Sequence, residues 1–127
     1  MKSYDPLKPP DPQEWLSLDE QERISLIEQF HRHARIRLPN AAIHAIMHAI
    51  VENQIAMGDE LTVKRKLEQL MGEGLDRHEA IHAIGWILSK QMFRALKSDG
   101  KSSDWFKSYI AALEDLTAEN WRRSGED

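Results

Sequence analysis

The chain has 127 residues, 41% hydrophobic and 30% charged, with a net charge of −4 and no cysteine. That is the size of one domain able to bury a core without covalent staples. The acidic balance argues against a nucleic-acid partner, and the lack of cysteine removes disulfides, thiol catalysis and Cys-type zinc sites.

Four of the five prolines lie in the first twelve residues. Proline fixes φ and lacks an N–H, so residues 1–16 are expected to form an extended arm, pinned at its end by Trp15 and Leu18. The arm is polar and unlike a secretory signal, and no apolar run reaches the ~18 residues of a membrane span. A cytoplasmic protein without a membrane partner is the expectation.

The helical pattern begins at Ser17, where Ser17 and Glu20 have capping-box spacing. Ile24, Ile27, Phe30 and Ala34 follow at intervals of three and four, predicting a helix from about Leu18 to Ala34 that Pro39 ends. Asn40 is placed to cap a second helix, Ala41 to Met57, closed by Gly58. Its apolar stripe is Ile43, Ile46, Met47, Ile50 and Val51, and its other side is mostly alanine, the pattern of a central helix. A third helix is expected from Glu60 to Met71, with Val63, Leu67, Leu70 and Met71 inward and the basic residues of "VKRK" outward.

Asp76 and Glu79 make another capping box, with Leu75 as a staple, and open a fourth helix that runs to about Lys97. "SDGKSSD" reads as a loop. The fifth helix, Ser103 to Thr117, is expected to face Trp105, Phe106, Tyr109, Ile110, Leu113 and Leu116 inward. Residues 120–127 read as a flexible tail. The expected fold is therefore all-α: a compact bundle of about five helices in one domain, 17–119, behind the arm.

The chemistry resides in the histidines. His44 and His48 are four apart on the second helix, and His78 and His82 are four apart on the fourth. Residues at that spacing share a helix face, so each pair can offer two imidazoles to one ion. If the two helices pack at ~8–10 Å, the pairs can converge on zinc or another divalent metal. His44, His48, His78 and His82 are the candidate ligands. Nitrogen separations beyond ~5 Å would exclude a shared zinc, given Zn–N bonds of ~2.0–2.1 Å.

His78-Glu79-Ala80-Ile81-His82 also has the H-E-x-x-H spelling of zinc peptidases, in which the glutamate is general base. Here Glu79 has a competing role in the cap. No histidine follows His82, so a third ligand would come from His31, His44 or His48. Glu28/His31 and Glu79/His82 both spell E-x-x-H, the pattern of di-iron carboxylate bundles, with Glu52 and Glu68 or Glu114 as further acids. Glu52 continues the row of His44 and His48 and ranks behind them as a ligand. His33 reads as solvated. The alternative to a metal site is a non-enzymatic interaction or regulatory module, a homodimer or a protein's partner, whose histidines only pack.

The phrases "VENQIA" and "GLDRHEAIHAIG" lie in a longer run, "HAIVENQIAMGDELTVKRKLEQLMGEGLDRHEAIHAIGWIL". From about Leu38 to Leu116 the chain resembles a family of small bacterial proteins known only as a domain of unknown function. The resemblance implies an all-helical, cytosolic, bacterial protein and carries no catalytic residue with it.

Overall fold

The computed structural model describes residues 1, 3–33, 41–58, 62–97 and 105–123. The side chains of residues 33, 41–43, 96–97 and 105 fall outside that description. Seven helices are present among the described residues: α1 (Pro12–Ser17), α2 (Glu20–His33), α3 (Ala41–Ala56), α4 (Thr62–Gly72), α5 (Arg77–Lys97), α6 (Trp105–Asp115) and α7 (Ala118–Arg123). The all-α expectation holds. The two helices beyond the expected five are short ones, in the arm and in the supposed tail.

The arm is not extended throughout. Pro12 takes the first position of α1, where its missing N–H costs nothing, and Trp15 N–H bonds the Asp11 carbonyl. Trp15 is fully buried and donates its indole N–H to Asn53 Oδ1 at 2.9 Å. Arg23 fastens the same segment, donating to the carbonyls of Trp15 and Leu16 and to Asn53.

The first capping box lies two residues later than Ser17 and Glu20 suggest. Glu22 N–H donates to Asp19 Oδ1 at 2.8 Å, and Asp19 N–H reaches back to Glu22 Oε1 at 3.4 Å. The Ser17 hydroxyl bonds the Glu14 carbonyl within α1. The cap of α5 is where the sequence puts it, with Asp76 Oδ1 accepting from Glu79 N–H at 2.8 Å and Leu75 buried. Gly74 has φ +107 and closes α4 in a Schellman arrangement, Leu75 N–H to the Leu70 carbonyl and Gly74 N–H to the Met71 carbonyl. Asn40 and the 98–104 loop lie outside the described residues.

Helix α3 is central: it packs against α1, α2, α4 and α5. Its alanine face carries this, since Ala45 and Ala49 are buried against Tyr4, Trp15, Leu26 and Ile27. Val51 belongs to a larger core with Val63, Leu67, Leu70, Ile81, Ile84, Leu88, Tyr109 and Leu113 from α4, α5 and α6. Each such aliphatic side chain contributes about 1.5–3 kcal/mol on full burial.

Several expected orientations differ. Ile46 and Met71, at the edges of their stripes, are exposed, and so is Phe106. Lys66, assigned to the outer face with its "VKRK" neighbours, is only 4% exposed. Its ammonium donates to the carbonyls of Leu116 (2.9 Å) and Glu114 (3.3 Å) and to Gln69 Oε1 (2.8 Å), satisfying the C-terminal end of α6. Residues 120–123, expected in the tail, belong to α7, where Trp121 is buried and Glu73 Oε1 accepts from Ala118 N–H at the helix start; residues 124–127 of that tail lie outside the described residues. No helix among the described residues is long and apolar enough to cross a membrane.

Candidate metal centre

Helix α3 stands between α2 and α5, and all three turn histidines toward one point. α2 supplies His31, α3 supplies His44 and His48, and α5 supplies His78 and His82. Ligand-capable atoms of His31, His48, His78 and His82 lie within 4.8 Å of one another. His48, His78 and His82 of the two i,i+4 pairs therefore converge, with His31 in the place expected of His44, which is not in this ligand group. His44 joins the cluster by a contact of 2.9 Å between its Nε2 and that of His82. Its ring centroid is 4.8 Å from that of His31.

His31 is the member the sequence reading gave only as a candidate third ligand. It follows Ile27 by four and Ile24 by seven, so it continues the buried stripe of α2, and that spacing was the available signal. The side chain of His33 lies outside the described residues. Glu79 and Glu28 do not belong to the convergent group. Glu68 and Glu114 are exposed, so the carboxylates of a di-iron site are not assembled. Glu52 is buried but turned to another task.

The hydrogen bonds assign two lone pairs. His31 Nδ1–H donates to the Ile27 carbonyl at 2.8 Å, which leaves Nε2 as its unprotonated nitrogen. Across from it, His78 Nε2 lies 3.3 Å away. Two ligands of one tetrahedral zinc, each ~2.0–2.1 Å from the ion, sit about 3.3–3.4 Å apart, so this hydrogen-bonded spacing is also compatible with a ligand pair.

His48 is fixed by a longer chain of partners. Arg77 binds Glu52 through both ends of its guanidinium, Nη1 to Oε2 at 2.7 Å and Nη2 to Oε1 at 2.8 Å. Arg77 and Glu52 are 3% and 1% exposed. The Tyr4 hydroxyl also donates to Glu52 Oε2, in a short hydrogen bond. Burial, then the adjacent Glu52 carboxylate, pushes the Tyr4 phenol far above its ordinary range, so it keeps its proton. That single proton is committed to Glu52. The phenol oxygen, 2.7 Å from His48 Nε2, must therefore accept from His48. His48 carries its proton on Nε2 and its lone pair on Nδ1. Nδ1 is buried and has no hydrogen-bond partner among the described residues.

Burial lowers the pKa of all five imidazoles and is the largest cause in each. Repulsion among them adds to it at His44, His48, His78 and His82; His44 and His78 fall to about 4 and His82 to about 2. At neutral pH the rings are uncharged, the form a metal requires.

The arrangement can thus offer a divalent ion three or four neutral nitrogen donors, with outer partners that orient them: a backbone carbonyl for His31 and the Tyr4–Glu52–Arg77 chain for His48. Nitrogen-only donors suit zinc, copper, nickel or cobalt and do not suit magnesium or calcium, which take oxygen. No protein-family model matches the chain, and no curated protein or solved structure matches it either.

Proposed function

We propose that this protein binds one divalent transition-metal ion, with zinc the simplest occupant, through His31 Nε2, His48 Nδ1, His78 and His82. The observation that carries the reading is His48 Nδ1. Imidazole-to-imidazole hydrogen bonds account for the facing nitrogens of His31 and His78 and of His44 and His82. A cluster that merely packs would leave nothing over. His48 Nδ1 is left over, a buried acceptor aligned by a purpose-built chain of partners. A buried acceptor without a partner costs about 1–3 kcal/mol, and a metal bond removes that cost.

The H-E-x-x-H spelling contributes His78 and His82 to this reading, while Glu79 lies outside the ligand group, its N–H capped by Asp76. Elemental analysis of the purified protein and calorimetric titration of zinc test it. One equivalent of zinc per chain and a rise in melting temperature are expected. Substituting His48→Ala or His31→Ala should abolish both while circular dichroism keeps its helical signal. Wild-type protein that takes up no metal, and melts identically with and without chelator, would refute the assignment.

A further inference from the structure

We propose that the bound ion keeps an exchangeable coordination position on its His44 side and takes a small anion there. This rests on the metal reading above.

Charge favours such a ligand. Four imidazoles are neutral donors, so they leave the ion's double positive charge uncompensated in a largely buried setting. The nearest buried carboxylate, Glu52, is held at both oxygens by Arg77 and receives the Tyr4 proton as well. Two other carboxylates act on the cluster electrostatically through His78, namely Asp76 and Asp5. Asp76 Oδ1 accepts from Glu79 N–H and Asp5 Oδ1 from Leu7 N–H. Both are occupied at the rim of the site and are not among the converging ligand atoms. No carboxylate among the described residues is placed to balance the ion from its own shell. An anion from solution is the remaining source, and zinc-class ions expand readily from four to five ligands.

Burial differs across the cluster. His31 and His48 are 4% and 2% exposed and form the closed floor. His44, His78 and His82 are half-buried and form the side that solvent reaches. An incoming ligand must therefore approach past these three.

The fifth imidazole supplies a partner for the anion. His44 converges with the others yet stands outside the four-residue ligand group. When His82 gives its lone pair to the ion, the 2.9 Å contact between the two Nε2 atoms is released. The N–H of a neutral His44 can then donate to an anion bound on the metal. His44 is in this view a positioning residue for the anion, not a metal ligand.

Cobalt(II)-loaded protein and azide test this directly. Cobalt(II) in a nitrogen site has visible d–d bands that change when a fifth ligand binds. Azide should shift those bands saturably. His44→Ala should weaken azide binding by about tenfold, the scale of an outer partner, while cobalt affinity stays within a few-fold of wild type. His44→Gln, which keeps an N–H donor, should recover part of the loss. Bands that ignore azide would overturn the open position while leaving metal binding intact. Loss of cobalt from both His44 variants would make His44 a ligand and overturn its assigned role. A protein that develops no d–d band would refute the metal reading itself, and this inference with it.

Discussion

Tyr4 has one hydroxyl proton and two polar neighbours, and that arithmetic decides which way His48 faces. The proton goes to Glu52, so the oxygen accepts from His48 Nε2 and the ring's lone pair is on the buried, unpartnered Nδ1. Tyr4→Phe keeps the ring, with its edge packing against Phe30 and His48, and removes only the hydroxyl. His48 then loses the acceptor that selects its tautomer. Zinc affinity should fall about 10–100-fold, the usual cost of losing an outer partner of a ligand histidine. Competition against a chromophoric chelator measures it, and an unchanged affinity would remove the phenol from the site's design. No periodicity in the sequence marks Tyr4 or Arg77. One lies in a proline-rich segment and the other at the first position of a helix, and their roles depend on contacts 25 to 71 residues away in sequence.

At the scale of elements, the helices whose stripes are complete were readable in the sequence. The start of α5 at Asp76, the buried face of α4 and the alanine-sided α3 follow from local spacing alone. What spacing could not convey is where a stripe ends against a particular neighbour. Ile46 and Phe106 are apolar yet exposed, and Lys66 is charged yet buried. Lys66 succeeds there because its stem packs as an apolar chain while its ammonium meets the carbonyl end of α6, where a cation is favourable. Burial lowers its pKa, and Glu73, Asp115 and Glu114 oppose that shift. Lys66→Met preserves most of the stem and leaves the Leu116 carbonyl only its longer 3.5 Å bond from Gln69 Nε2. Urea unfolding should show a loss of about 1–3 kcal/mol through a lower midpoint at unchanged slope. A midpoint equal to wild type would mean that solvent satisfies those carbonyls equally well. His31 shows the same limit at the site: its position on the α2 stripe is legible, but its convergence with His78 requires knowing that α3 stands between α2 and α5.

For the whole molecule, the five clustered imidazoles make stability depend on pH in a definite direction. In the unfolded chain they titrate near 6.5. In the folded protein all are lowered, with burial the main cause, His44 and His78 to about 4 and His82 to about 2. Below pH 6.5 the unfolded chain thus binds more protons than the folded one, and stability rises with pH. The contribution is complete above about 6.5 and is lost as pH falls from there through about 4 and on toward 2. The melting temperature of metal-free protein should decline steadily over that window, and His44→Gln should flatten part of the decline. Added zinc should hold the upper part of the curve level, because an ion on the lone pairs competes with protons. A melting temperature indifferent to pH between 6.5 and 4 would contradict the burial of these rings.

The bond from Arg77 Nη1 to the Pro6 carbonyl, 2.9 Å long, ties the arm to the same guanidinium that holds Glu52. Floor and arm are therefore one assembly, and its consequence is for residence time rather than affinity. In the proposed site the half-buried His44, His78 and His82 lie on the outer side, and the ligand beneath them, His48, is held while Tyr4 and Pro6 are seated. Departure then waits on the arm's lifting. Extraction by a strong chelator should reach a ceiling rate that more chelator does not raise, and Tyr4→Phe should raise that ceiling. A protein built this way would keep its metal through brief encounters with competitors.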